Sequence, residues 1–154
     1  MRMILDNLYF KLILILIVTC TVSIYSYTNA NLYQNINGLK QYSVYSLIIL
    51  IIAGILLFSK TNSLNIKILY WVLMLLSIGC LIIYNYEKPE YTYKEAVNLI
   101  KDKENLDIIN KPQINMHTKK DNQLYEIYKI VGKSKGTVKT FSFDPYTGEI
   151  YEIK

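Results

Sequence analysis

Three uninterrupted apolar runs dominate the first half of the chain: Leu12–Tyr27 (LILILIVTCTVSIYSY), Tyr42–Ser59 (YSVYSLIILIIAGILLFS) and Ile68–Tyr86 (ILYWVLMLLSIGCLIIYNY). None contains Asp, Glu, Lys, Arg or His. A soluble core helix rarely goes so far without a charge on one face, and each run is about long enough to cross the roughly 30 Å apolar core of a bilayer. The pattern predicts membrane helices over about 8–27, 42–59 and 67–86.

Beyond Tyr86 the period changes. Thr92-Tyr93-Lys94-Glu95 has the form of a capping box, and Tyr93, Ala96, Val97 and Ile100 follow at helical spacing. This predicts a helix from about Tyr93 to Lys103. Four shorter runs then read as strands: Gln113–Thr118, Leu124–Val131, Thr137–Phe143 and Glu149–Ile153. Gly132–Gly136 and Asp144–Gly148 are the connections; in the second, Asp144 bonds back to turn amides, Pro145 sets the first corner and Gly148 takes positive φ. The expected fold class is membrane α-helical, with three transmembrane helices, plus a small α+β domain. That domain is one helix on a three- to four-stranded antiparallel sheet. The division falls at 1–87 and 88–154.

Charge adds an orientation. The net charge is +5, but its distribution excludes a basic nucleic-acid face. Met1–Tyr86 holds Arg2, Lys11, Lys40, Lys60 and Lys67 against Asp6 alone, whereas the remainder balances twelve Lys with eleven acids. Arg2 and Lys11 precede the first span, Lys60 and Lys67 lie between the second and third, and Thr28–Gln41 carries only Lys40. Cytoplasmic loops hold the Lys and Arg excess, so the N-terminus is expected inside and the C-terminal domain outside the cell membrane. Tyr25, Tyr27, Tyr42, Tyr45, Tyr70, Trp71, Tyr84 and Tyr86 sit near the ends of the runs, where amphipathic rings favour the headgroup level. Ile17-Val18-Thr19-Cys20 has the outline of a lipoprotein processing site, with Thr19 where a smaller residue is expected. Ser46, Ser77, Gly54 and Gly79 are expected to serve helix packing.

Little points to catalysis. Cys20 and Cys80 lie inside apolar runs, and His117 is the single histidine. Gly132-Lys133-Ser134 lacks the first glycine of a phosphate-binding loop, since Ile127 stands there. No catalytic, cofactor-binding or metal-ligating residue is expected. Tyr125, Tyr128 and the Lys133, Lys135, Lys139 group are the candidates for contact with a protein partner.

Thr92-Tyr93-Lys94-Glu95-Ala96, the Tyr-rich Tyr125-Glu126-Ile127-Tyr128, and Phe143-Asp144-Pro145-Tyr146-Thr147-Gly148-Glu149-Ile150 together resemble the PepSY domain. This module is known from bacterial protease propeptides and membrane-tethered or secreted proteins. The resemblance covers roughly Tyr91–Lys154, with Thr92, Glu95, Ala96, Asp144, Pro145, Thr147, Gly148 and Glu149 as its structural motif. It implies an interaction module that restrains or guides an extracytoplasmic peptidase or cell-wall hydrolase. The alternative is an accessory subunit of a membrane complex, whose apolar helices make the specific contacts.

Overall fold

The computed structural model describes residues 8–58, 64–108, 115–120, 123–134 and 136–153. Arg2, Lys60, Lys135 and the linker residues 109–114 lie outside the described residues, as do the side chains of Lys11, Lys67, His117 and Tyr125. Helices α1 (Leu8–Leu32), α2 (Gln41–Phe58) and α3 (Leu64–Glu87) are followed by α4 (Tyr93–Glu104). Strands β1 (Asp107–Ile108), β2 (Asn115–Lys120), β3 (Gln123–Ser134), β4 (Thr137–Phe143) and β5 (Ile150–Ile153) complete the chain. They divide into two compact units: Met1–Asn29 with Leu39–Glu87, and Ala30–Gly38 with Lys88–Lys154.

The first unit holds three helices long and apolar enough to cross a membrane, over Ile13–Leu32, Ile36–Leu56 and Ile68–Glu87. The last of these residues in the first segment, and the first of the second, belong by contact to the other unit. Helix α1 runs five residues past the expected end at Tyr27. Ile15, Ile49, Ala53, Tyr70 and Leu73 form the buried core of this unit. Most of the apolar surface stays outward, as at Ile24, Ile55 and Leu75. An exterior of this kind suits lipid and would aggregate in water.

Hydroxyls line the helix contacts. Thr19 and Ser77 are fully buried and their oxygens lie 3.1 Å apart. Each also donates back along its own helix, Thr19 to the Ile15 carbonyl at 2.7 Å and Ser77 to that of Leu73 at 3.0 Å. Ser23 donates to the Ser43 carbonyl at 3.3 Å. The expected role of the glycines does not hold: a Cβ at Gly54 or Gly79 would meet nothing within 4 Å. Close approach is made instead by Ala53, Ser46 and Ser77, all fully buried. Tyr25, Tyr42 and Tyr84 gather edge to face at one end, and the Tyr42 hydroxyl donates to the Glu87 carboxylate.

The second unit is built on the long strand β3. Its first half pairs antiparallel with β2 and its end, at Gly132–Lys133, with β1. On its other side it pairs with β4, which pairs with β5. Four strands are of four residues or more, and the fifth, β1, is a two-residue bridge within the linker. The register sets Tyr128 opposite Phe143 and Ile130 opposite Phe141. All four are buried, as are Ala96 and Ile100 of α4 and Leu106 just beyond it. Alternation puts them on one face, so a single apolar layer forms between helix and sheet. The tip between β3 and β4 is shorter than the five-residue link expected from Gly132–Gly136. β3 continues through Gly132 to Ser134, because Gly132 leaves room for the Leu106 side chain, 3.1 Å from where its Cβ would stand.

Candidate partner surface of the sheet unit

Local chemistry sets the frame. The Thr92 hydroxyl accepts from the Glu95 amide at 3.4 Å, and the Glu95 carboxylate accepts from the Thr92 amide and hydroxyl, both at 2.8 Å. These bonds, the backbone one foremost, hold the Glu95 carboxyl below its ordinary range. Asn105 in left-handed conformation closes the helix, its N–H on the Lys101 carbonyl. At the other motif, Asp144 Oδ1 accepts from the amides of Tyr146 and Thr147 at 2.8 and 3.3 Å. Gly148 has φ +74° and donates to the Asp144 carbonyl at 2.9 Å. Pro145 is buried and its carbonyl accepts from Tyr91 at 3.0 Å. Glu149 donates through its amide to the Thr147 hydroxyl and accepts from the Tyr151 hydroxyl.

The candidate contact residues scatter. Tyr128 is fully buried, its hydroxyl donating to the Tyr91 carbonyl at 3.2 Å and its ring stacked on Phe143. Burial, with Tyr33, Tyr146 and Glu95 nearby, pushes its hydroxyl far above the ordinary tyrosine range. Tyr128 is therefore a core residue, not a contact. Lys133 and Lys139 do not form one patch either. Lys133 is opposite Val138 and Lys139 opposite Gly132, so the pleat sends them to opposite faces. Lys139 instead makes a cross-strand ion pair with Glu152 at 3.2 Å.

What the sheet does offer is an open face and an open edge. On the face away from α4, Lys129, Val131 and Lys133 line up with Val138 and Thr140, and then with Tyr151 and Ile153, while Ile127 and Ser142 on the same face are buried. Val138 and Tyr151 are 60% and 56% exposed. The edge is β5, which pairs only with β4 among the described residues. The Asp144 amide bonds the Glu149 carbonyl at 2.9 Å. By the alternation of antiparallel ladders, Tyr151 and Ile153 then also bond toward β4, and the backbone groups of Ile150 and Glu152 face outward.

Sequence reasoning missed one participant entirely. Asn37, in the connection between α1 and α2, belongs to this unit. Its carboxamide accepts from the Glu126 amide at 2.9 Å and donates to the Tyr146 hydroxyl at 2.8 Å. Its own amide donates to the Glu126 carboxylate at 3.0 Å. The only sequence signal is a cluster of Asn and Gly in a short loop, which reads equally as a plain turn.

Among the described residues no group of three His, Cys, Asp or Glu is placed to hold a metal ion. No family model matches the chain, and neither a curated protein nor a solved structure matches it.

Proposed function

We propose that the chain is a membrane-anchored interaction module that acts by binding. Its sheet unit lies outside the cell and restrains or guides an extracytoplasmic peptidase or cell-wall hydrolase, as the PepSY resemblance implies. The observation that carries the reading is the open β5 edge, with outward backbone groups at Ile150 and Glu152 beside exposed Tyr151. An extended segment of a partner can add there as a further strand.

The orientation rests on the Lys and Arg bias of the sequence. Ala30–Gly38 folds with Lys88–Lys154, so both segments lie on one side of any membrane, as spans α2 and α3 allow in either orientation. With Cys20 and Cys80 changed to Ser, Ser134→Cys is expected to react with a membrane-impermeant thiol reagent in intact cells and Thr61→Cys to stay protected. The reverse pattern refutes the outside assignment.

The partner is tested with a photoreactive residue at Tyr151 of the full chain in its native membrane. Adducts to a peptidase or hydrolase, absent when the probe stands at exposed Lys94, are expected. Adducts only from lipid-facing positions such as Ile51 or Leu75 would favour the membrane-subunit alternative.

A further inference from the structure

Where α1 meets α2, a groove of about 200 Å³ opens on the first unit. Ser23, Ile24, Tyr27 and Thr28 of α1 and Ser43 and Leu47 of α2 line it. Its small hydroxyls are engaged by backbone. Ser23 donates to the Ser43 carbonyl at 3.3 Å, Thr28 to that of Ile24 at 2.8 Å and Ser43 to that of Lys40 at 2.7 Å. What the groove presents is therefore mainly carbon. Apolar space of this size stays dry: a cavity of about 150 Å³ lined by aliphatic side chains excludes water and takes a hydrocarbon instead. Ile24, Tyr27 and Leu47 are also exposed, so the groove faces the medium around the helices. For helices of membrane length that medium is lipid.

The end of the groove next to the α1–α2 connection is charged. Lys40, directly before α2, holds its ammonium 5.4 Å from the centre of the Tyr27 ring, so a cation stands over one wall. Thr28–Gln41 contains no Asp or Glu. Glu87, at the end of α3, already accepts from the Tyr42 hydroxyl. A Lys and a Tyr at a span end belong at the level of the lipid head groups. An apolar slot with a cation at its mouth matches a molecule with a hydrocarbon chain and an anionic head. A second copy of the chain matches less well, since its apolar runs carry no acid and its Glu87 is engaged within its own fold.

We propose that this groove binds one phospholipid with a net negative head group. An acyl chain lies between α1 and α2, and the phosphate sits at Lys40. A zwitterionic lipid offers the same chain and phosphate but brings a cation up to Lys40, so charge sets the preference. The site is separate from the sheet and stands whether or not the chain is an interaction module.

The test is native mass spectrometry of the full chain in detergent, with phosphatidylglycerol and phosphatidylcholine added in equal amounts. Wild type is expected to carry one lipid per chain, with phosphatidylglycerol favoured about fivefold, the discrimination one Lys gives near a membrane surface. Lys40→Gln is expected to keep the lipid and lose the preference, and Lys40→Arg to keep both. Leu47→Trp and Ile24→Trp each put a ring into the groove, one from either helix, and are expected to lower retention of both lipids about tenfold. Ile82→Trp, at an exposed position of α3, is expected to change nothing. Equal retention of the two lipids by wild type, or a preference that survives Lys40→Gln, overturns the head-group assignment. Retention unchanged in both groove variants overturns the groove. A lipid-free dimer of the chain that both groove variants abolish makes the groove a contact between copies and refutes the lipid site.

Discussion

Replacing Gly148 tests the turn on which the sheet closes. Gly148 sits at φ +74°, and a Cβ there would stand 3.1 Å from Cε2 and 3.2 Å from Cζ of Tyr91. The Tyr91 ring cannot swing away freely, because it packs edge to face on Phe143 at 5.6 Å and its amide is tied to the Pro145 carbonyl. Gly136 is the natural control, with φ +87° and nothing within 4 Å of its missing Cβ. Gly136→Ala is expected to cost about 1–2 kcal/mol from the left-handed backbone alone. Gly148→Ala adds the displacement of a packed ring, about 1–2 kcal/mol more, for a total of about 2–4 kcal/mol. A unit of about 76 residues is stable by roughly 4–11 kcal/mol, so the loss is a large share. Amide exchange of the full chain in nanodiscs reads it. Protection at Ile130, Phe141 and Phe143 is expected to fall about thirty- to a thousand-fold for Gly148→Ala. The fall for Gly136→Ala is about tenfold smaller, and Gly148→Val exceeds both. Equal losses for the two alanine variants would show that the Tyr91 contact carries nothing. Unchanged protection in Gly148→Ala would refute the account of the turn.

Three further outcomes follow from particular bonds. Thr92→Ala removes the hydroxyl half of the capping box, leaving the Thr92 amide to donate to the Glu95 carboxylate, and is expected to lower protection along α4 by about 1 kcal/mol. Because the Glu95 carboxyl is held below its ordinary range, its contribution is present above the usual carboxylate pKa and lost as pH falls through the folded value. The exchange difference between wild type and Glu95→Gln should therefore persist through the ordinary glutamate range and close only as pH drops below it. Thr19→Val deletes the buried contact with Ser77 and is expected to cost about 0.6–1 kcal/mol in a steric-trap measurement of helix separation; no change would mean that the back-bonds to Ile15 and Leu73 satisfy both hydroxyls alone. Lys139→Ala breaks a solvent-screened pair with Glu152 and should cost under about 1 kcal/mol, read from exchange at Phe141.

The chain determined by itself whatever depends on near neighbours. Three uncharged apolar runs reveal membrane-length helices because the bilayer demands length and hydrophobicity, both countable along a line. The Thr92–Glu95 box and the Asp144–Gly148 turn are legible for the same reason: each closes within five residues, so residue type fixes its bonds. Tertiary structure decided everything that depends on register and on distant segments. A strand of Tyr, Ile and Val does not announce which ring is inside, and pairing with Phe143 is what buries Tyr128. Three lysines close in sequence look like one patch until the pleat divides Lys133 from Lys139. Asn37 is 89 residues from Glu126 and 109 from Tyr146. No local pattern encodes that bond, because it joins segments that only the fold brings together, at the point where the β3–β4 pairing ends.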